Sequence, residues 1–172
     1  VSWATRIAYF RLPGCITVPT LSATSSHKRG VQLGKKLRYA VTVNNHVADS
    51  FEGLGLQITL PAGVIYRASK VLPRIKDTPR WGANKRVGQF SKPLVNVTEG
   101  NDGTTVLRWP YVPIPGNSRR KFVVGMKVDK DGPPVTSLVF SSNLYQSGDV
   151  AIPFYENYAN NVTVAVKKLS GP

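Results

Sequence analysis

The residues best equipped for chemistry in this chain are its cations. Between Arg67 and Lys92 stand Arg67, Lys70, Arg74, Lys76, Arg80, Lys85, Arg86 and Lys92, opposed only by Asp77. Trp81 and Phe90 are interleaved with them in PRIKDTPRWGANKRVGQFSKP, residues 73–93. Lysine and arginine in such density gather polyanions by releasing counterions, and an aromatic ring among them can stack on a base or a sugar. A stretch of about 20 residues without its own periodicity is often a functional loop. The alternative is a long hairpin excursion whose Trp81 and Phe90 pack down while the cations face water, and the sequence leaves both open. A second set, Arg119, Arg120 and Lys121, opens a later strand. The candidate polyanion- or partner-binding set is therefore Arg74, Lys76, Arg80, Trp81, Lys85 and Arg86 with Arg119, Arg120 and Lys121. The whole chain supports that chemistry: 23 Lys and Arg against 9 Asp and Glu give a formal charge of +14, which attracts acidic partners of any kind.

Other chemistries find too few participants. The acids, Asp49, Glu52, Asp77, Glu99, Asp102, Asp129, Asp131, Asp149 and Glu156, fall mostly in turns, and no two share a strand face as a general acid and base would. His27, His46 and the single Cys15 supply neither a triad nor a zinc site. Asp129-x-Asp131-Gly132 suggests a calcium loop, but no Glu follows at the required spacing, so it reads as a turn. A Lys-to-Asn cross-link beside an acid could draw on Lys36, Asn160 or Asn161, and Glu52, yet the parity of its strand points Lys36 outward. We expect no enzyme, no metal and no cofactor. Asn96-Val97-Thr98 and Asn161-Val162-Thr163 are acceptor-type sequons, so Asn96 and Asn161 are candidates for glycosylation.

The elements that must hold these residues are short strands. In KKLRYAVTVNN, Leu37, Tyr39, Val41 and Val43 share one parity, and in LGLQITL so do Leu54, Leu56, Ile58 and Leu60. A period of two places each set on one face. The polar NNHVADSFEG connects them, and Pro61 stops the second because it has no N–H for a ladder. Further strands are expected at 15–23 (interrupted by Pro19), 64–72, 94–98, 104–109, 119–129, 136–146 and 160–169, with 94–98 and 104–109 bracketing the hairpin turn EGNDG. SSHKRGVQLGKK reads as a polar connection and PYVPIPGNS as an extended one. No helical period of useful length occurs, nor a run of about 18 apolar residues that would span a membrane as a helix. The expected architecture is an all-β, antiparallel immunoglobulin-like sandwich of about 7–9 strands, with Tyr39, Val41, Leu56, Ile58, Leu107, Phe122, Val124, Leu138 and Val164 inside. Residues 1–14 form an irregular apolar arm, expected to bury Trp3 and Phe10 against a partner or the sandwich edge. Residues 15–172 form the domain, with its basic insertion at 73–93.

In order along the chain, Thr42-Val43-Asn44, Leu60-Pro61-Ala62-Gly63, Trp109, Pro115-Gly116-Asn117-Ser118 and Ala159-Asn160-Asn161 resemble the Ig-like repeat of surface proteins known as domain of unknown function eleven, over roughly residues 18–168. That family is usually acidic or neutral and lacks the basic insertion. The resemblance implies an extracellular, cell-surface building block of walls, adhesins or filaments, with no common enzymatic activity. Its partners would be neighbouring subunits or acidic polysaccharide. The alternative class is a soluble polyanion-binding module, nucleic acid being its extreme case, which the charge favours and the sequons and resemblance do not.

Overall fold

The computed structural model describes residues 19–27, 29–51, 54–72, 95–110, 112–132, 134–146 and 159–167. The arm 1–14, Cys15, Glu52 and the segment 73–93, with Arg74, Lys76, Arg80, Trp81, Lys85 and Arg86, lie outside them.

The described residues form ten strands and no helix: β1 (Thr20–Ser25), β2 (Val31–Gln32), β3 (Lys36–Asn44), β4 (Leu54–Leu60), β5 (Val64–Leu72), β6 (Asn96–Glu99), β7 (Thr105–Trp109), β8 (Arg119–Val128), β9 (Ser137–Gln146) and β10 (Ala159–Lys167). They make two sheets, β1-β3-β8-β5 and β2-β10-β9-β4-β7-β6, antiparallel throughout except for the two-residue parallel pairing of β2 with β10. The immunoglobulin-like sandwich is thus the fold. Each expected strand has a counterpart. Of the first, expected at 15–23, residues 15–18 lie outside the described residues; its described part runs from Thr20, directly after Pro19, whose missing N–H keeps that residue out of the ladder. β2 is the addition; it lies inside SSHKRGVQLGKK, which reads as a plain connection because two residues carry no period.

β3 and β4, consecutive in sequence, lie in opposite sheets. The alternation explains why: Leu37, Tyr39, Val41 and Val43 of β3 and Leu54, Leu56, Ile58 and Leu60 of β4 are all buried, while Gln57 and Thr59 turn outward. Every residue expected in the interior is buried there. Two ring pairs add to the apolar burial: Tyr39 stacks on Phe140 with centroids 5.1 Å apart, and Trp109 meets Phe122 edge-on at 5.3 Å, offset and T-shaped arrangements that the ring quadrupoles favour. Because β3 and β9 belong to different sheets, Tyr39–Phe140 is a contact across the sandwich. There the Tyr39 hydroxyl donates to Ser142 Oγ at 3.2 Å, satisfying a phenol that would otherwise be buried at a cost.

The chain crosses between the sheets at 45–51, packed against residues 112–118. Asn45, 2% exposed, donates from its side-chain amide to the carbonyls of Asp49 (2.7 Å), Ile114 (3.2 Å) and Pro115 (3.1 Å), and its Oδ1 accepts from the Val47 N–H at 3.0 Å. Phe51 and Ile114 exchange both backbone hydrogen bonds, and the Asn117 N–H donates to the Val47 carbonyl. Gly116 is required, since a β-carbon there would run into the Ala48 carbonyl oxygen.

Two outcomes follow for stability. Asn45→Ala leaves buried carbonyls without donors, so about 2–4 kcal/mol should be lost in denaturant unfolding, at roughly 1 kcal/mol per bond plus desolvation. Burial raises the Tyr39 pKa, an effect that its bond to Ser142 partly opposes. A raised folded pKa means that the contribution of the neutral phenol is whole below the unfolded value of about 10 and is lost as pH climbs past it. Tyr39→Phe should therefore flatten the alkaline fall of stability above about pH 10, measured by unfolding at a series of pH values.

A candidate polyanion interface on the four-stranded sheet

The outward face of β1-β3-β8-β5 is cationic. Residues that alternate with the core positions point outward: Lys36 and Arg38 on β3, Arg119, Lys121 and Lys127 on β8, and Lys70 on β5, with Arg67 exposed at the irregularity between Tyr66 and Ala68. None of these four strands contains an Asp or Glu. The pairing β3–β8 gathers the charges. Lys36 lies directly opposite Lys127, Arg38 opposite Gly125, Thr42 opposite Lys121 and Asn44 opposite Arg119. On the other side of β8, Lys70 faces Val123 and Leu72 faces Lys121. Between the cations runs a floor of small or flat residues, Ala40, Gly125, Ala68 and Val123. From Arg119 to Lys127 the charged strip spans about 27 Å at the usual rise per residue.

The strip continues over the sandwich end at Lys36. There His27, Gly30, Gly34, Lys35, Lys36 and Lys167 line an open depression of about 680 Å³. The only ion pair between described residues is the exposed Lys130–Asp131 contact at 4.0 Å, so the sheet cations have no described carboxylate partner. Like charges directly opposed across a ladder cost stability, and Lys36–Lys127 is such a pair.

Of the triplet singled out in the sequence, Arg119 and Lys121 are exposed on this face and Arg120 is not. Arg120 shares the parity of Phe122 and Val124, lies inward at 9% exposure, and donates from Nε to the Pro113 carbonyl at 3.1 Å. Its desolvation lowers its pKa. Arg120 therefore belongs to the packing between β8 and the 112–118 segment, a correction that strand parity alone supplies. The sequence reading missed Lys36, Arg38, Lys70 and Lys127 as members of one surface. Their outward parity was visible, but the pairing of β3 with a strand 80 residues away was not. The basic segment 73–93 follows directly from Leu72, the register partner of Lys121.

The sequon asparagines Asn96 and Asn161 are both exposed, on β6 and β10 of the other sheet. Lys36 and Asn161, two members of the cross-link considered above, lie in different sheets and both face solvent. Among the described residues no three His, Cys, Asp or Glu side chains converge as a metal site would require. No described helix is long and apolar enough to cross a membrane, a statement that does not extend to β-barrels.

The chain matches no family model and no curated protein. Its fold is similar to solved structures. A cohesin module from a family 33 glycoside hydrolase of Clostridium perfringens superposes with a TM-score of 0.53 at 10% identity, covering 88% of this chain and 98% of that one. The C-terminal domain of the AgI/II polypeptide BspA of Streptococcus agalactiae gives 0.50 at 13% identity, covering 86% of this chain and 49% of that one, so this chain spans about half of it. A collagen-binding domain from a Staphylococcus aureus adhesin gives 0.44 at 11% identity, covering 89% and 99%.

Lys127→Glu replaces the like-charge pair with an opposite one. It should raise stability by about 0.2–1 kcal/mol in low salt, a gain that shrinks as ionic strength rises; thermal unfolding at two salt concentrations measures it. At these identities the comparisons establish the sandwich fold and nothing finer.

Proposed function

We propose that this chain is a non-enzymatic, extracellular structural or adhesive module that contacts acidic polymers or acidic neighbouring subunits through the cationic face of its four-stranded sheet. One observation carries the reading: Lys36, Arg38, Lys70, Arg119, Lys121 and Lys127 share one open sheet face whose strands contain no carboxylate. A face that tolerates opposed lysines gives up stability, which sequences do chiefly at functional surfaces. The sequence likeness to the Ig-like repeats of surface proteins supports the extracellular assignment. So does the occurrence of similar sandwiches as a cohesin module and as one domain of the BspA polypeptide. Arg74, Lys76, Arg80, Trp81, Lys85 and Arg86 extend the basic sequence beyond Leu72 and would add to the same contact.

The test compares binding of heparin and of single-stranded DNA to the parent and to a Lys36→Gln, Arg38→Gln, Lys121→Gln, Lys127→Gln variant over a series of salt concentrations. The expected result is binding of the acidic glycan that falls steeply with salt, with at least a tenfold loss and a shallower salt slope in the variant. Unchanged affinity and slope remove the sheet face from the function. Tight binding of DNA with no response to heparin assigns the chain to the soluble nucleic-acid-binding class instead.

A further inference from the structure

The opposite face of the sandwich carries a second feature that the cationic strip does not explain. On β7, β4 and β9, adjacent strands of the six-stranded sheet, Arg108, Gln57 and Asn143 stand in one row, each the direct register partner of the next. Tyr145, two residues along β9 from Asn143, lies opposite Gly55. Its ring occupies the space where a β-carbon on Gly55 would sit. The four side chains, with Leu144, line a shallow depression of about 490 Å³, within the range of small-ligand sites.

The polar groups are positioned. Arg108 donates from Nε to Gln57 Oε1 at 2.8 Å, which holds the guanidinium along the sheet and leaves its terminal amino groups with no partner among the described residues. The Tyr145 hydroxyl donates to the Trp109 carbonyl at 3.4 Å, tethering the ring as a wall of the depression. Asn143 Oδ1 is covered and has no hydrogen-bond partner among the described residues, a deficit that usually costs about 1–3 kcal/mol. Around the row the outward residues are uncharged: Thr59 lies opposite Ser141 on one side and Val106 on the other, one step along the strands. Arg108 is the sole charged residue of β4, β7 and β9.

We infer that this depression is a saccharide subsite for a carboxylate-bearing pyranose, a hexuronate of an acidic polysaccharide. A planar guanidinium held by its Nε offers two parallel N–H donors to a carboxylate. The Gln57 amide, held beside the guanidinium, adds neutral polar groups that suit the ring hydroxyls. The apolar face of the sugar ring packs against Tyr145. A nucleic-acid strand fits poorly, since one cation cannot track a phosphate backbone. An added peptide strand fits poorly too, since β4, β7 and β9 are all internal and have no free ladder edge. The subsite is independent of the cationic strip, which lies on the other sheet.

The test is a two-dimensional amide NMR titration of the full chain carrying the basic-face substitutions given above, so that binding there does not obscure the result. The probes are an oligogalacturonate, its methyl ester and polyglutamate. The expected result is saturable shifts confined to residues near 55–58, 107–109 and 142–146 with the oligogalacturonate. The methyl ester should bind at least tenfold more weakly, as should the acid to Arg108→Gln. Arg108→Lys, which keeps the charge and loses the fork, should recover only part of the loss. Well-dispersed spectra of both variants show that each remains folded. Absence of shifts on this face, equal binding of acid and ester, an unaffected Arg108→Gln variant, or polyglutamate shifting the same residues with equal affinity would each overturn the assignment. Loss of heparin binding on the basic face leaves this result untouched, so the two proposals fail separately.

Discussion

The structure depends on one crossing. A sandwich whose consecutive strands β3 and β4 lie in opposite sheets must carry the chain across its end, and the backbone groups there have no ladder to join. Asn45 resolves this with a single side chain. Its amide serves three carbonyls from two segments, its oxygen holds the Val47 N–H, and its own N–H donates to the Ser118 carbonyl at 2.8 Å. The result is an irregular ladder between 45–51 and 112–118 that satisfies groups which would otherwise be buried and unpaired. Because residue 118 leads directly into β8, the same clamp fixes where β8 begins against β3. That stagger puts Asn44 opposite Arg119 and Thr42 opposite Lys121, so the register of the cationic strip follows from the crossing.

Much of this was legible in the residues, for a physical reason: an amphipathic strand announces both its existence and its inward face through a period of two. The alternation of Leu37 to Val43, Leu54 to Leu60 and Phe122 to Val128 sufficed to name core residues that the structure buries. What lacks a period was not legible. β2 is two residues long, and its pairing with Val166 and Lys167 joins segments more than 130 residues apart. Pro115-Gly116-Asn117-Ser118 and Thr42-Val43-Asn44 stand about 70 residues apart in the sequence, and no local pattern joins them. In the structure the two segments are neighbours, with Gly116 against the Ala48 carbonyl and the Asn45 N–H on the Ser118 carbonyl.

The candidate surface was partly legible in the same way. Composition drew attention to the densest basic run, 73–93, and to the triplet at 119–121. Composition ignores direction, so it counted Arg120 with its neighbours although Arg120 shares the inward parity of Phe122. Conversely, strand parity turns Lys36 and Arg38 outward, but nothing local connects them with Lys127 and Lys70. Only the non-local order β1-β3-β8-β5 turns scattered cations into a strip. The row Arg108–Gln57–Asn143 is hidden for the same reason, being one residue from each of three strands that are distant in sequence.

The two faces of the sandwich then impose different rules on how copies or partners can meet. One face carries Lys36, Arg38, Lys70, Arg119, Lys121 and Lys127 with no acid on its strands; the other is neutral apart from Arg108 in its three central internal strands. A two-fold contact through the four-stranded sheet would set this cationic patch against a second copy of itself, so that cations of one copy meet other cations of the same patch. Within a Debye length of about 8 Å the repulsion is barely screened at physiological salt. A contact between the described cationic face and another molecule therefore calls for acidic groups on that molecule, while the three central strands of the other face, Arg108 apart, call for none. The polarity of the module follows from which strands neighbour which, before any partner is specified.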